Sequence, residues 1–186
     1  MVFASRAGVP FALSAPLAAL LVAAGAAATL IGAWIFQYGF GYPPCPLCLE
    51  QRYAYYFAVP LAVLVWLGLG LGAADGEGPG VRRRTLIVGF AALAAGMLWN
   101  AGLGAYHAGV EWHWWAGPAD CSGTLAPLGG GGGLIEQLQV TRVVRCDEAP
   151  WRFLGLSLAG YNVLISLALA ALALAGLRDV LAARAR

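Results

Sequence analysis

Four cysteines carry the chemistry that this 186-residue chain offers. Two of them stand close together in Pro44-Cys45-Pro46-Leu47-Cys48, whereas Cys121 and Cys146 are far apart in sequence. A C-x-x-C closes too small a ring to restrict the unfolded chain much. Such pairs more often exchange electrons or bind metal than staple a fold. Pro46 has no backbone donor and suits the first turn of a helix, which sets Cys48 near that helix's positive end. Arg52 follows four residues on, along the same helical face. Both neighbours favour the thiolate, the form of cysteine that attacks. An arginine at the edge of hydrocarbon pairs, snorkels or serves a site. Beside a C-x-x-C, its planar guanidinium is suited to donate to a carbonyl oxygen of an oxidant.

Metal is the chemical rival. Four thiolates, or three with His107 or His113 standing in for one, would make a tetrahedral zinc set. The second pair lacks the tight spacing of such sites, because a long segment with five consecutive glycines (Gly129 to Gly133) intervenes. The expectation is therefore no metal site. His113 reads as an interfacial ring, and His107 as a group that approaches the pocket of Arg52. The bland alternative is two inert disulfides stapling two loops.

The elements that position these residues follow from composition. Hydrophobic residues make up 61% of the chain and charged ones 11%, with a mean hydropathy of +0.74. Soluble domains carry roughly 25% charged residues. A cytosolic globule, a disordered tail and a nucleic-acid binder are thereby excluded. Apolar runs near 15–36, 52–72, 85–106 and 153–177 are each long enough to cross a bilayer, which takes about 20 residues. The expected fold is an all-α, four-transmembrane-helix bundle forming a single integral membrane domain over 1–186. Two outward loops, about 37–51 and 107–152, carry all the cysteines. Small residues from Ala24 to Ala28 resemble a cleavage site, but apolar sequence runs on to Phe36, so the first span is expected to be retained.

Every basic side chain is arginine, and the formal net charge is only +2. Arg6, Arg82 to Arg84, Arg178, Arg184 and Arg186 fall on one side of the spans. Those of the other side are matched or outnumbered by acidic residues. The positive-inside rule then puts both termini and the middle loop in the cytoplasm. The cysteines face an oxidising compartment where disulfides persist. The second outer loop opens with the aromatic run Tyr106 to Trp115, which marks an interface with membrane lipid. Leu134 to Leu138 after the glycine run would lie flat on that surface. Within the spans, Thr29, Asn100, Ser157, Asn162 and Ser166 read as interhelical hydrogen-bonders. Gly89, Gly96 and Gly160 read as points of close helix packing.

With these residues in place, the chain resembles the bacterial DsbB family of disulfide-bond formation proteins. The likeness rests on Cys45-Pro-Leu-Cys48-Leu-Glu-Gln-Arg52 after a first span, and on Cys121 and Cys146 in the second outer loop. Trp151-Arg-Phe-Leu-Gly-Leu156, opening span four, adds to it. The resemblance covers nearly the whole chain. It implies an inner-membrane oxidoreductase that reoxidises a periplasmic thioredoxin-fold protein, DsbA-like, and passes the electrons to ubiquinone or menaquinone. It further implies two redox pairs, Cys45–Cys48 and Cys121–Cys146. Cys121 would form the mixed disulfide with the partner, and Cys146 would be its companion. Cys45 would exchange with the second loop, and Cys48 would face the quinone. Arg52 would hold the quinone, with His107 on the opposing helix. The vitamin K epoxide reductase-like arrangement also has four helices and two pairs, but places its C-x-x-C late in the chain.

Overall fold

The computed structural model describes residues 13–70, 79–122 and 144–183. Four helices dominate: α1 (Ala15–Trp34, continued by a π-helical turn Ile35–Gly39), α2 (Pro46–Gly70), α3 (Pro79–Glu111) and α4 (Leu158–Ala182). All four are long and apolar enough to cross a membrane, and the chain is a multi-pass membrane protein. The helices pack α1 on α2, α2 on α3 and α3 on α4, with α4 closing back on α1. A 3-10 turn (Ala119–Ser122) and a two-stranded hairpin, β1 (Arg152–Phe153) and β2 (Leu156–Ser157), lie between α3 and α4.

Small side chains explain the close packing. The inward face of α1 is Ala15, Ala18, Ala19, Val22, Ala23 and Ala26, all buried. Against it stand Phe90, Leu93, Ala170 and Ala173 in one continuous core. Lipid-immersed helices gain nothing from hiding leucine, so contact between them comes from backbones brought close by small residues. The large apolar side chains accordingly point outward: Leu17, Leu20, Ile31, Leu64, Val88 and Trp99 are exposed. At Gly104 an added Cβ would come within 2.8 Å of the Asn162 amide, so only glycine lets α3 and α4 meet there. Gly89 is similarly pressed by Val65 of α2. Gly96 also faces α2, at ordinary contact distance from Phe57, whereas Gly160 faces Leu156 of its own hairpin rather than another helix.

Three element boundaries depart from the sequence expectation, each for a local reason. Helix α2 begins at Pro46, ahead of the apolar span near 52–72, and takes Cys48 into its first turn as Pro46 predicts. Helix α3 extends beyond 85–106 at both ends. Arg82 lies inside it and donates from Nε to the Gly68 carbonyl (3.0 Å) and from Nη2 to that of Leu69 (2.8 Å). These are carbonyls at the end of α2 that have no helical partner. At its other end α3 carries His107 and Glu111 within the helix rather than in a loop. Helix α4 starts at Leu158 because Trp151 to Leu156 is not helical. Leu154 (φ 48°) and Gly155 (φ 82°) form a tight turn that pairs Arg152 with Ser157 and Phe153 with Leu156. The run Gly129 to Gly133 and the segment Leu134 to Leu138 lie outside the described residues.

A polar cluster ties three helices together in mid-bundle. Asn100 Nδ2 donates to Asn162 Oδ1 (3.2 Å) and to Ser166 Oγ (3.0 Å), and the Tyr55 hydroxyl donates to Asn162 Oδ1 (2.5 Å). Asn100, Asn162 and Ser166 thus bond between helices as expected. Thr29 and Ser157 do not. Thr29 donates to Gly25 O one turn back in α1, and Ser157 caps α4 by accepting from Gly160 N.

Candidate functional site

The site is built at the end of the bundle where α2 starts and α3 stops. Cys45 precedes α2, and the turn through Pro46 brings the Cys48 backbone N–H to within 3.2 Å of Cys45 Sγ. The Cys45 thiol donates to Cys48 Sγ across 2.7 Å, both cysteines being unbridged here. That hydrogen bond, and then burial, push the Cys45 pKa up from its ordinary value. A disulfide between the two needs only a small further approach.

From α3, His107 comes down onto this pair. Its Nε2 lies 3.6 Å from Cys45 Sγ, and its Nδ1 lies 2.8 Å from Gln51 Nε2. One turn on, Glu111 places Oε1 3.9 Å from the same Nε2, while its Oε2 has no hydrogen-bond partner among the described residues. Both side chains are 3% exposed. Arg152 of the hairpin donates to the Glu111 backbone carbonyl, which ties β1 to the end of α3.

Cys121 and Cys146 form a disulfide. Together with Cys45, Leu47 and Val110 they make one buried cluster, with Cys48, Leu103 and Val144 packed around it. All four cysteines, separated by spacing in the chain, thus meet in one place. The sequence favoured an accessible loop sulfur. Instead Cys121 is 3% and Cys146 1% exposed, closed over the first pair.

Beside the cluster runs a cavity of about 580 Å³ between α1, α2 and α4. Cys48, Gln51, Arg52 and His107 supply its polar side at one end, and Tyr55 and Asn162 its floor. Its aromatic wall is Phe36, Trp151, Phe153 and Tyr161. Trp151 packs edge-on to Phe36 and stacks with Phe153, and the Tyr161 hydroxyl donates to the Phe153 carbonyl. Arg52 is turned toward α1, where Nη1 donates to Gln37 Oε1 (2.6 Å) and Nη2 to the Ala33 carbonyl (3.4 Å). Of the residues singled out in the sequence, Cys45, Cys48, Cys121, Cys146 and His107 come together, and Arg52 faces the adjoining cavity. Gln37, Gln51 and Glu111 were missed. Signals were present: Gln37 is an amide in a charge-free run, Gln51 adjoins Arg52, and Glu111 follows His107 by one helical turn.

Two cysteine pairs packed together at the end of a four-helix transmembrane bundle define a membrane thiol–disulfide exchange protein. The chain matches the family model of disulfide bond formation protein DsbB over residues 15–176, and it belongs to that family. It is accordingly a membrane oxidoreductase of disulfide-bond formation. No curated protein and no solved structure matches the chain.

Proposed function

We propose that this protein oxidises a periplasmic, DsbA-like thioredoxin-fold dithiol and passes the two electrons to a membrane quinone. The observation that carries the reading is the placement of all four sulfurs in one cluster, with Cys48 and Arg52 lining an adjoining cavity. Ligand pockets have volumes of about 300–1,000 Å³ with a few placed polar groups in apolar walls. The cavity's size, aromatic wall and single guanidinium fit a flat ring bearing carbonyl oxygens. Bound there, a quinone supplies the capacity to accept two electrons and two protons.

The chain's own steps are thiol exchanges. A partner thiolate attacks Cys121, the Cys121–Cys146 bond breaks, and Cys146 leaves as the thiolate. The partner's second thiolate attacks the mixed disulfide, so the partner leaves oxidised and the loop pair is reduced. The loop thiols in turn reduce a Cys45–Cys48 disulfide, which leaves the first pair as two thiols. Two electrons and two protons then depart from that pair toward the cavity. Cys48 lines the cavity and would face the acceptor, Arg52 would donate to one of its carbonyl oxygens, and His107 adjoins Cys45 and borders the same space. The arginine asymmetry supports both termini and Arg82 to Arg84 in the cytoplasm of a bacterial inner membrane, with the cysteines periplasmic.

Purified protein, reduced thioredoxin-fold partner and ubiquinone or menaquinone in detergent test the reading. Quinone absorbance should fall in step with partner oxidation, one quinone per partner disulfide. Partner oxidation that proceeds without quinone consumption in the absence of oxygen overturns it.

A further inference from the structure

We propose that the reduced Cys45/Cys48 pair, with His107 and Glu111, is a binding site for one thiophilic divalent cation such as Zn2+. The inference goes beyond the electron-transfer reading and stands without it, because binding needs only the two thiols. Cys45 Sγ, Cys48 Sγ and a ring nitrogen of His107 all lie within 4.8 Å of one another. In a tetrahedral zinc site, with Zn–S near 2.3 Å and Zn–N near 2.0–2.1 Å, a sulfur and a nitrogen ligand stand about 3.6 Å apart. Cys45 Sγ and His107 Nε2 are 3.6 Å apart. The two sulfurs, at 2.7 Å, must part by about 1 Å to reach the roughly 3.8 Å of two thiolate ligands. Rotation of Cys48 in the first turn of α2 supplies that movement.

Two further features point to a cation. Glu111 brings a carboxylate whose Oε2 has no partner among the described residues, 3% exposed and within one side chain of the ring. Ser157 and Arg152 also act on this carboxylate, and a cation held by His107 would take its remaining oxygen, Oε2, as fourth ligand. The outer support is also present. With the Gln51 amide turned so that its oxygen faces Nδ1, it accepts the Nδ1 proton and leaves the Nε2 lone pair for the metal. The Cys48 backbone N–H on Cys45 Sγ offers the same kind of support to a thiolate. Cys121 and Cys146 take no part, so this is not the four-cysteine set dismissed on spacing.

Binding replaces two S–H protons by one cation: each thiol loses H+, two S–metal bonds form, and no electron moves. A pair so held cannot form its disulfide, so the cation would arrest turnover and a chelator would restore it. The test uses full-length Cys121→Ser/Cys146→Ser protein in detergent, reduced and anaerobic, titrated with Co2+ and then Zn2+. Expected are one Co2+ per chain, sulfur-to-cobalt charge-transfer absorption with tetrahedral visible bands, displacement by Zn2+, and two protons released per ion. Oxidising Cys45–Cys48 in the same protein should abolish the signal without any new mutation. Glu111→Gln should weaken binding by about 10–100-fold, and His107→Ala by at least as much. Absence of the charge-transfer band, its survival after oxidation, or unchanged affinity in both variants overturns the site.

Discussion

Cys45 and Cys48 are held by the start of a helix, whereas Cys121 and Cys146 are held by chain that lies between helices. The first pair is fixed by Pro46, by the backbone N–H of Cys48 and by His107, and it borders a cavity. The second pair does not line that cavity; it is kept by its own bond and by packing on Val110 and Cys45. A rigid pair suits an acceptor that must be met at a fixed distance. A pair on irregular chain suits a protein partner that must draw the disulfide out. The difference in scaffolding therefore matches a division of labour between an inner and an outer pair.

The largest effects should come from removing single sulfurs. Cys48→Ala should reduce quinone-linked turnover to background, because no second sulfur of the first pair remains to take up or release electrons. Cys146→Ala leaves Cys121 as a free thiol, which should attack the disulfide of the oxidised partner, release one partner thiol and persist as a mixed disulfide, seen on non-reducing gels and lost when Cys121 is also replaced. A partner trapped through Cys48 would reverse the assigned roles.

Arg52→Met keeps the aliphatic stem but removes the donors. Quinone affinity should fall by about 10–100-fold, the equivalent of losing a charge-assisted hydrogen bond worth roughly 1.5–3 kcal/mol. The rate of mixed-disulfide formation in a Cys146→Ala background should be unchanged. Gln37→Ala should give a smaller loss of affinity in the same titration, since Ala33 O still holds one arm of the guanidinium. Equal behaviour of both assays in Arg52→Met would show that the two pairs are not separable.

A pH profile sharpens the contrast within the first pair. The Cys45 pKa is raised chiefly by its hydrogen bond to Cys48. A raised thiol pKa means less thiolate at a given pH, so Cys45 should resist alkylation as pH rises through the ordinary thiol range near 8.5. In Cys48→Ala the principal cause is gone, and the alkylation profile of Cys45, read by mass spectrometry, should move to lower pH. A profile that stays in place would mean that burial alone protects the sulfur.

Much of the fold was legible because bilayer spans announce themselves by length and apolarity. Asn100, Asn162 and Ser166 could be read as interhelical partners because a polar group in hydrocarbon must find another. The hairpin before α4 could not. Two-residue hairpin turns are signalled by Asn-Gly or Asp-Gly, and here the first turn residue is Leu154, a side chain seldom found at positive φ. The burial of Cys121 and Cys146 was hidden for another reason. Their approach to Cys45 is a tertiary contact that no local spacing encodes. The four sulfurs were legible from residue type, but their meeting was not.

The smallest expected effect falls on that turn. Gly155→Ala at φ 82° should destabilise the hairpin by about 1–2 kcal/mol. It should lower the thermal midpoint in detergent only slightly and leave thiol exchange at Cys121 as it was. Since Phe153 and Trp151 form part of the cavity wall, any change in function should appear in quinone affinity alone.

A disulfide with both sulfurs out of solvent is shut to small reductants as well as to large ones. Attack on sulfur requires a thiolate to reach it, and Cys121 and Cys146 are both buried. Free glutathione or cysteine in the surroundings thus has no terminal to touch. On the reading proposed above, a protein partner able to displace this packing would complete the circuit, and the same packing would keep stray electrons out of the membrane pool.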